Sequence, residues 1–130
     1  MSVAAPRAYA FNSTRQAYLA QRLALADTHF SRLVGLIGKT STEFSVGMGL
    51  WISPCRGVHT LGMRFPIDVV YLDERNAVVH LEQNLRPWRV GRVCLKATSV
   101  LELPTTTVSQ TRTSIGDEIQ IAFDDNGRKA

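Results

Sequence analysis

Short apolar stretches, either alternating with polar residues or continuous, dominate the pattern along this chain. The β-branched runs at residues 67–72 and 77–82 predict two strands, and the polar residues 73–76 between them predict a hairpin connection. Residues 119–123 alternate with a period of two, which is typical of a half-buried strand. Further short strands are predicted at residues 9–11, 18–26 (whose composition also suits a helix), 50–52, 99–103 and, as an edge, 105–108.

One segment has the helical period instead. Its apolar residues recur at i, i+3, i+4 and i+7, and Gly38 followed by Lys39 is a typical end for a helix. These apolar residues are Phe30, Leu33, Val34 and Ile37. Many strands with one short helix predict a mainly β fold, a small antiparallel barrel or jelly-roll-like sandwich that this helix caps.

The chain reads as one domain with short polar ends. We expect a loose N-terminal tail at residues 1–8, a single β domain at 9–123 and a polar C-terminal tail at 124–130. No apolar run approaches the roughly 18 residues of a membrane span, and no secretory signal is visible. Two cysteines, Cys55 and Cys94, are too few for a disulfide scaffold, so we expect them unbridged and the protein in the cytoplasm.

Charge is distributed unevenly along the sequence. The formal net charge is +4, and no acid occurs between Glu43 and Asp68 or between Glu82 and Glu102. If these two stretches meet in the fold, they form a positive surface suited to an anionic ligand. The alternative is that their basic side chains are ordinary solvated surface. Nucleic acid is an unlikely partner, because the charge excess is modest and no nucleic-acid-binding signature is present.

Residues 54–68 hold the most varied chemistry in the chain. Cys55 and His59 could act as a nucleophile and its base, with Arg56 favouring the thiolate and Asp68 orienting the imidazole. This arrangement would make the protein a thiol-dependent enzyme. The Cys-x3-His spacing is common by chance, so the enzyme remains the alternative to a non-catalytic binding domain.

The same segment also resembles a copper loop. Cys55, His59 and Met63 follow the order in which thiolate, imidazole and thioether surround blue copper. A second imidazole would have to come from His29 or His80. Such loops lie near the C-terminus of cupredoxins rather than in mid-chain, so we expect no metal and no other cofactor.

Two acids in apolar surroundings suggest structural roles. Asp68 stands at the start of a predicted strand, where backbone N–H groups or Arg64 could hold its carboxylate. Glu102 alternates with inward-facing Leu101 and Leu103, so we expect it on the outward face, paired with a basic side chain.

The segment around Trp88 completes the candidate site. Trp88 and Arg89 combine a stacking surface with a cation, as binding sites for sugars and single strands do. We expect this segment to meet residues 55–68 and form a site for a small anionic or carbohydrate-like ligand, or for a protein partner. The residues that we expect to contact this ligand are His59, Thr60, Arg64, Asp68, Trp88 and Arg89.

Separate motifs, in order, resemble the bacterial and archaeal family known as domain of unknown function 192. They are residues 32–39 (RLVGLIGK), 49–51 (GLW), 59–60 (HT), 63–68 (MRFPID), 101–104 (LELP) and 115–117 (IGD). The resemblance covers residues 12–121 and implies a small β-barrel or jelly-roll-like sandwich, with no established activity and no catalytic residues to carry over. This chain differs from many relatives in having His59-Thr60 in place of Trp-Met. It also has Thr105-Thr106 where a small residue and Gly usually follow the LELP motif, so a turn with positive φ there would be strained.

Overall fold

The computed structural model of the protein describes residues 7–26 and 44–124, and these residues form eight strands and one short helix. The mainly β fold is therefore confirmed. The strands are β1 Arg7–Asn12, β2 Ala17–Ala20, β3 Arg22–Ala26, β4 Met48–Ile52, β5 Ile67–Leu72, β6 Val78–Leu85, β7 Ser99–Pro104 and β8 Ile119–Asp124, and the helix is α1 Thr107–Thr111.

The strands form two sheets that do not close into a barrel. One sheet has the order β2-β1-β8, and the other has the order β3-β4-β7-β5-β6. Of the two architectures left open by the sequence, this arrangement matches the sandwich. Pairing of β1 with β8 joins Arg7 to Asp124, so strand structure reaches into both predicted tails. No helix within the described ranges is long and apolar enough to cross a membrane.

The chain passes from one sheet to the other at Gln21. Residues 18–26, which also suited a helix, form two strands, β2 and β3, separated by this residue. The N–H groups of Gln21 and Arg22 both donate to the carbonyl of Gly47, at 2.8 and 2.9 Å. Strand β3 then pairs in parallel with β4, an exception to the expected antiparallel pattern.

The central strands of the larger sheet are covered on both faces. All six residues of β5 and all six of β7 are buried. One face, with Val70, Leu72 and Leu101, packs against the smaller sheet. The opposite face, with Val69 and Tyr71, packs under loop residues that include Cys55, Val58, Met63, Phe65 and Ala97.

This second cover explains a wrong expectation about Glu102. Its side chain is fully buried rather than on a solvated face. The alternation in β7 is real, because Leu101 and Leu103 face the smaller sheet. The residues between them face a second packed layer instead of water.

The short helix lies where an edge strand was expected at residues 105–108. That expectation is wrong, since β7 ends at Pro104 and α1 begins three residues later. Thr106 precedes the helix with a left-handed backbone, φ 73°. The N–H of Val108, in the first turn of the helix, donates to Oδ2 of Asp68 at 3.0 Å. The capping helix predicted from Phe30 to Ile37 lies outside the described residues.

We expect Thr106→Gly to stabilise the protein. A β-branched residue in the left-handed region costs about 1–2 kcal/mol, and glycine removes that cost at an entropic expense of about 0.5–1 kcal/mol. The net gain in the free energy of unfolding should be about 0.5–1 kcal/mol, measured by urea denaturation. Thr105→Gly is the matched control. Because Thr105 is not among the residues with positive φ, its replacement should destabilise. A Thr106→Gly variant less stable than wild type would contradict this account.

Candidate functional site

Two loop segments, residues 53–66 and 86–98, lie across the outer face of the larger sheet and are hydrogen-bonded to each other. The N–H of Cys94 donates to the carbonyl of Arg56 at 2.8 Å, and that of Gly91 donates to Val58 at 2.8 Å. At the far end the N–H of Thr60 donates to Arg89 at 2.8 Å. The structure thus brings together the two segments that the sequence suggested would form a site.

Thr60 holds the 86–98 loop in place through hydrogen bonds to its backbone. Its hydroxyl donates to the carbonyl of Arg86 and accepts from the N–H of Arg89 at 2.9 Å. Its carbonyl accepts from the N–H of Trp88 at 2.9 Å. Thr60 was expected to contact a ligand, but its side chain is fully buried. We therefore correct its role to that of a residue that holds the loop.

Trp88 is the most unusual residue of the loop. Its side chain is 65% exposed, while its backbone is left-handed with φ 63°. Positive φ at a bulky residue is rare and strained, and it persists only where surrounding contacts impose it. Here the hydrogen bonds to Thr60 on either side impose it. The indole ring is consequently presented to solvent on a fixed backbone.

A β-bulge in β6, which precedes Trp88 in the chain, borders a shallow hollow. The register of β5 and β6 shifts between Ile67 and Val69, where Asp68 lies opposite the extra residue. Asn84 in this bulge is left-handed with φ 56°, and its N–H donates to Oδ1 of Asp68 at 2.9 Å. The hollow has a volume of about 420 Å³ and is lined by Glu82, Gln83, Asn84, Leu85, Arg86 and Arg89.

The burial and hydrogen bonds of Asp68 show that it stabilises the fold. Only 1% of the residue is exposed, and its two carboxylate oxygens accept the backbone N–H groups of Asn84 and Val108. Asp68 is therefore not a surface contact for a ligand, contrary to its place among the expected site residues. It joins the bulge behind the hollow to the start of α1.

A polar anchor holds the middle of the loop to the sheet. The hydroxyl of Tyr71 lies 2.6 Å from Oε1 of Glu82 and 2.6 Å from the carbonyl of Arg92. The same Oε1 accepts the N–H of Arg92 at 3.0 Å. Burial, with a further contribution from Glu82, raises the pKa of Tyr71 above its usual range, so this phenol keeps its proton as a donor. A Cβ on Gly91 would come within 2.7 Å of Glu82 Oε1, so a larger residue there would have to displace the carboxylate that holds the loop.

Cys55 and His59 each make a hydrogen bond within their own loop. The thiol of Cys55 donates to the carbonyl of Gly57 at 2.9 Å, an interaction of the protonated sulfur rather than of a thiolate. Nδ1 of His59 accepts the N–H of Leu61 at 3.2 Å.

The copper hypothesis receives no support from the described residues. Within residues 7–26 and 44–124, no three His, Cys, Asp or Glu side chains converge as metal ligands. Met63 is packed in the core, and His80 lies against Tyr71 with ring centroids 5.1 Å apart. His29 lies outside the described residues. Cys55 and Cys94 are not joined by a disulfide.

The site surface is basic and also more apolar than the sequence suggested. Arg64, Arg86, Arg89 and Arg92 are all exposed. Three apolar side chains of the loop that were not predicted as site residues are also exposed: Val90, Val93 and Leu95. The signal for them was a run of apolar residues in a segment where no strand was predicted.

Two packed sheets and a hydrogen-bonded loop layer define a small β domain whose candidate site is built from loops. The chain belongs to the family DUF192, described as an uncharacterized ACR, whose model matches residues 10–121. The resemblance seen in the sequence motifs is thereby confirmed. No curated protein matches the chain.

Two crystal structures are similar to this fold. A protein of unknown function from Novosphingobium aromaticivorans aligns with a TM-score of 0.74 and 16% identity, covering 90% of this chain and 93% of its own. A "putative transcription regulator" from Sinorhizobium meliloti aligns with a TM-score of 0.69 and 17% identity, covering 93% of this chain and 96% of its own. At these identities the likeness concerns the fold alone.

Proposed function

We propose that the protein is a non-catalytic binding domain for a small anionic, sugar-like ligand. The observation that carries this proposal is Trp88, whose exposed ring stands on a strained backbone that Thr60 holds in place. Strain at an exposed aromatic residue has no packing benefit, because the ring buries little surface. Such strain is characteristic of positions that present a side chain to a ligand.

The neighbouring hollow supplies complementary polar groups. Arg86 and Arg89 place two guanidinium groups at its wall, and Gln83 and Asn84 add amides that can pair with hydroxyls. Glu82 also lines the hollow, but its Oε1 is bound by Tyr71 and Arg92. A ligand with a flat ring face and one anionic group would therefore use both the indole and the cations.

Spectroscopic titration tests the proposal directly. Backbone and indole N–H shifts of the full chain are followed with glucuronate, glucose 6-phosphate, glucose and inorganic phosphate. We expect the first two to shift Asn84, Arg86, Trp88 and Arg89 most strongly. The indole N–H of Trp51 is an internal control, since it is buried in the opposite part of the domain.

Trp88→Ala should weaken this binding by about 5- to 150-fold, corresponding to the 1–3 kcal/mol of one stacked ring. The control is Phe123→Ala, which removes another exposed ring, 59% exposed, on the smaller sheet. Shifts that are unaffected by Trp88→Ala, or their absence with all four compounds, would refute the proposal. A single-stranded oligonucleotide bound in preference to both sugars would also refute it.

A further inference from the structure

We propose that the segment Trp88–Lys96, here called the basic–apolar ribbon, docks the protein onto an anionic lipid surface. This goes beyond the proposed sugar-like ligand and does not depend on it. The ribbon exposes 65% of Trp88, 74% of Val90, 63% of Val93 and 79% of Leu95. Large apolar groups concentrated in this way on a monomer mark an interaction surface.

The apolar side chains are exposed on a held backbone rather than on a loose loop. Gly91 and Cys94 donate their N–H groups to Val58 and Arg56, both at 2.8 Å. Between them, Arg92 donates its N–H to Glu82 and accepts the hydroxyl of Tyr71. These hydrogen bonds hold the backbone of the ribbon against the residues beneath it. Val93 and Leu95 therefore cannot turn inward without breaking them.

Cations flank the apolar side chains throughout. Every charged residue between Glu82 and Glu102 is basic, and all of them are exposed: Arg86, Arg89, Arg92 and Lys96. Arg56, on the paired segment, is exposed as well and donates to the carbonyl of Ala97. Among the described residues the single ion pair is Arg15 with Asp117, so no described carboxylate forms an ion pair with these cations.

The combination fits a lipid surface that carries phosphate. A narrow raised ribbon can enter a fluid interface, where its Trp, Val and Leu side chains reach the acyl boundary while Arg and Lys contact headgroups. Basic residues near an anionic leaflet each add to the attraction, and this attraction is screened by salt. An acidic polypeptide is the competing partner. It would use the cations but would gain less from an apolar ribbon without a groove.

Vesicle sedimentation of the full chain tests this proposal. We compare phosphatidylcholine vesicles with vesicles containing about 30% phosphatidylserine, at low and high salt. We expect binding to the anionic vesicles at low salt and little to the neutral ones. A double variant, Val93→Ser with Leu95→Ser, should lower partitioning about 10-fold or more, because two apolar side chains no longer leave water. Ile115→Ser, at a residue 65% exposed in the turn before β8, should leave it unchanged.

Charge variants form the second arm. Lys96→Gln with Arg92→Gln should also lower partitioning about 10-fold, whereas the exposed Arg75→Gln in the β5–β6 turn should not. Backbone spectra of each variant establish that it is folded. No binding to anionic vesicles would overturn the proposal. Equal binding of the double Ser variant, or tighter binding to soluble polyglutamate than to vesicles, would overturn it in favour of an acidic polypeptide.

The two proposals can fail separately. Val93, Leu95 and Lys96 do not line the hollow, so their variants should bind glucuronate normally. Loss of vesicle binding with intact sugar binding would leave the proposed ligand site standing. Vesicle binding without any sugar binding would refute the proposed ligand site and leave the proposed lipid-docking surface standing.

Discussion

Asp68→Ala should cost about 1–3 kcal/mol in the free energy of unfolding, because a buried donor left unsatisfied costs about that much. The substitution removes the acceptor of two N–H groups, that of Val108 in a buried bond and that of Asn84 in a partly buried one. It therefore releases the β-bulge and the start of α1 together. Urea denaturation measures the loss, and we also expect larger spectral changes at Asn84 than elsewhere in β6.

Asp73→Ala is the matched control for this prediction. Asp73 also accepts two backbone N–H groups with one carboxylate, those of Arg75 and Ala77 at 2.9 and 3.0 Å. Its turn is open to solvent, so water can replace the lost bonds and the cost should be about 1 kcal/mol or less. Asp68→Asn keeps one acceptor oxygen and should be intermediate, which preserves the test if Asp68→Ala does not fold. Equal losses at Asp68 and Asp73 would show that burial of Asp68 contributes nothing.

Gly49→Ala should destabilise the protein by about 1–3 kcal/mol, the usual cost of overpacking a core. Gly49 lies in β4 of the larger sheet, with Ala20 in β2 of the smaller sheet next to it. An added Cβ would lie 2.8 Å from Cβ of Ala20, 3.0 Å from Cδ2 of Leu103 and 3.2 Å from Cδ1 of Leu23. Because the nearest of these atoms is attached directly to the backbone of β2, the sheets themselves must move apart. Thermal and urea denaturation measure the effect.

Gly57→Ala provides the comparison. Its added Cβ would meet Cγ2 of Val93 at 3.2 Å, and the side chain of Val93 is exposed and can turn away. We expect Gly57→Ala to change stability by less than about 1 kcal/mol. A Gly49→Ala variant as stable as wild type would mean that β2 and β4 can move apart at this position without loss of stability.

The sequence by itself determined the local elements with strong short-range signals. The hairpin of β5 and β6 formed as predicted, because two β-branched runs flank a turn in which Asp73 accepts two nearby N–H groups. Strand β8 followed from its period of two after the turn at Gly116. The family was recognisable for the same reason, since its motifs lie in or beside these elements.

Tertiary contacts decided what the local pattern could not. Residues 105–108 have β-forming side chains, yet α1 starts there because Asp68, 40 residues earlier, accepts the N–H of Val108. Glu102 is buried because loops cover the outer face of the larger sheet, which no alternation within β7 can reveal.

The candidate site shows the same division. Its location was predictable, because acid-free basic stretches and an aromatic residue stand out in the sequence. The roles within it were not. Thr60 and Asp68 lie in a polar segment of the sequence and therefore look like ligand contacts. In the structure, however, their side-chain oxygens accept hydrogen bonds from backbone N–H groups that are distant in the chain. Trp88 could have packed inward, and the hydrogen bonds from Thr60, 28 residues earlier in the chain, decide that it faces solvent. Polar side chains reveal their chemistry in the sequence, whereas their partners are fixed only when the chain folds.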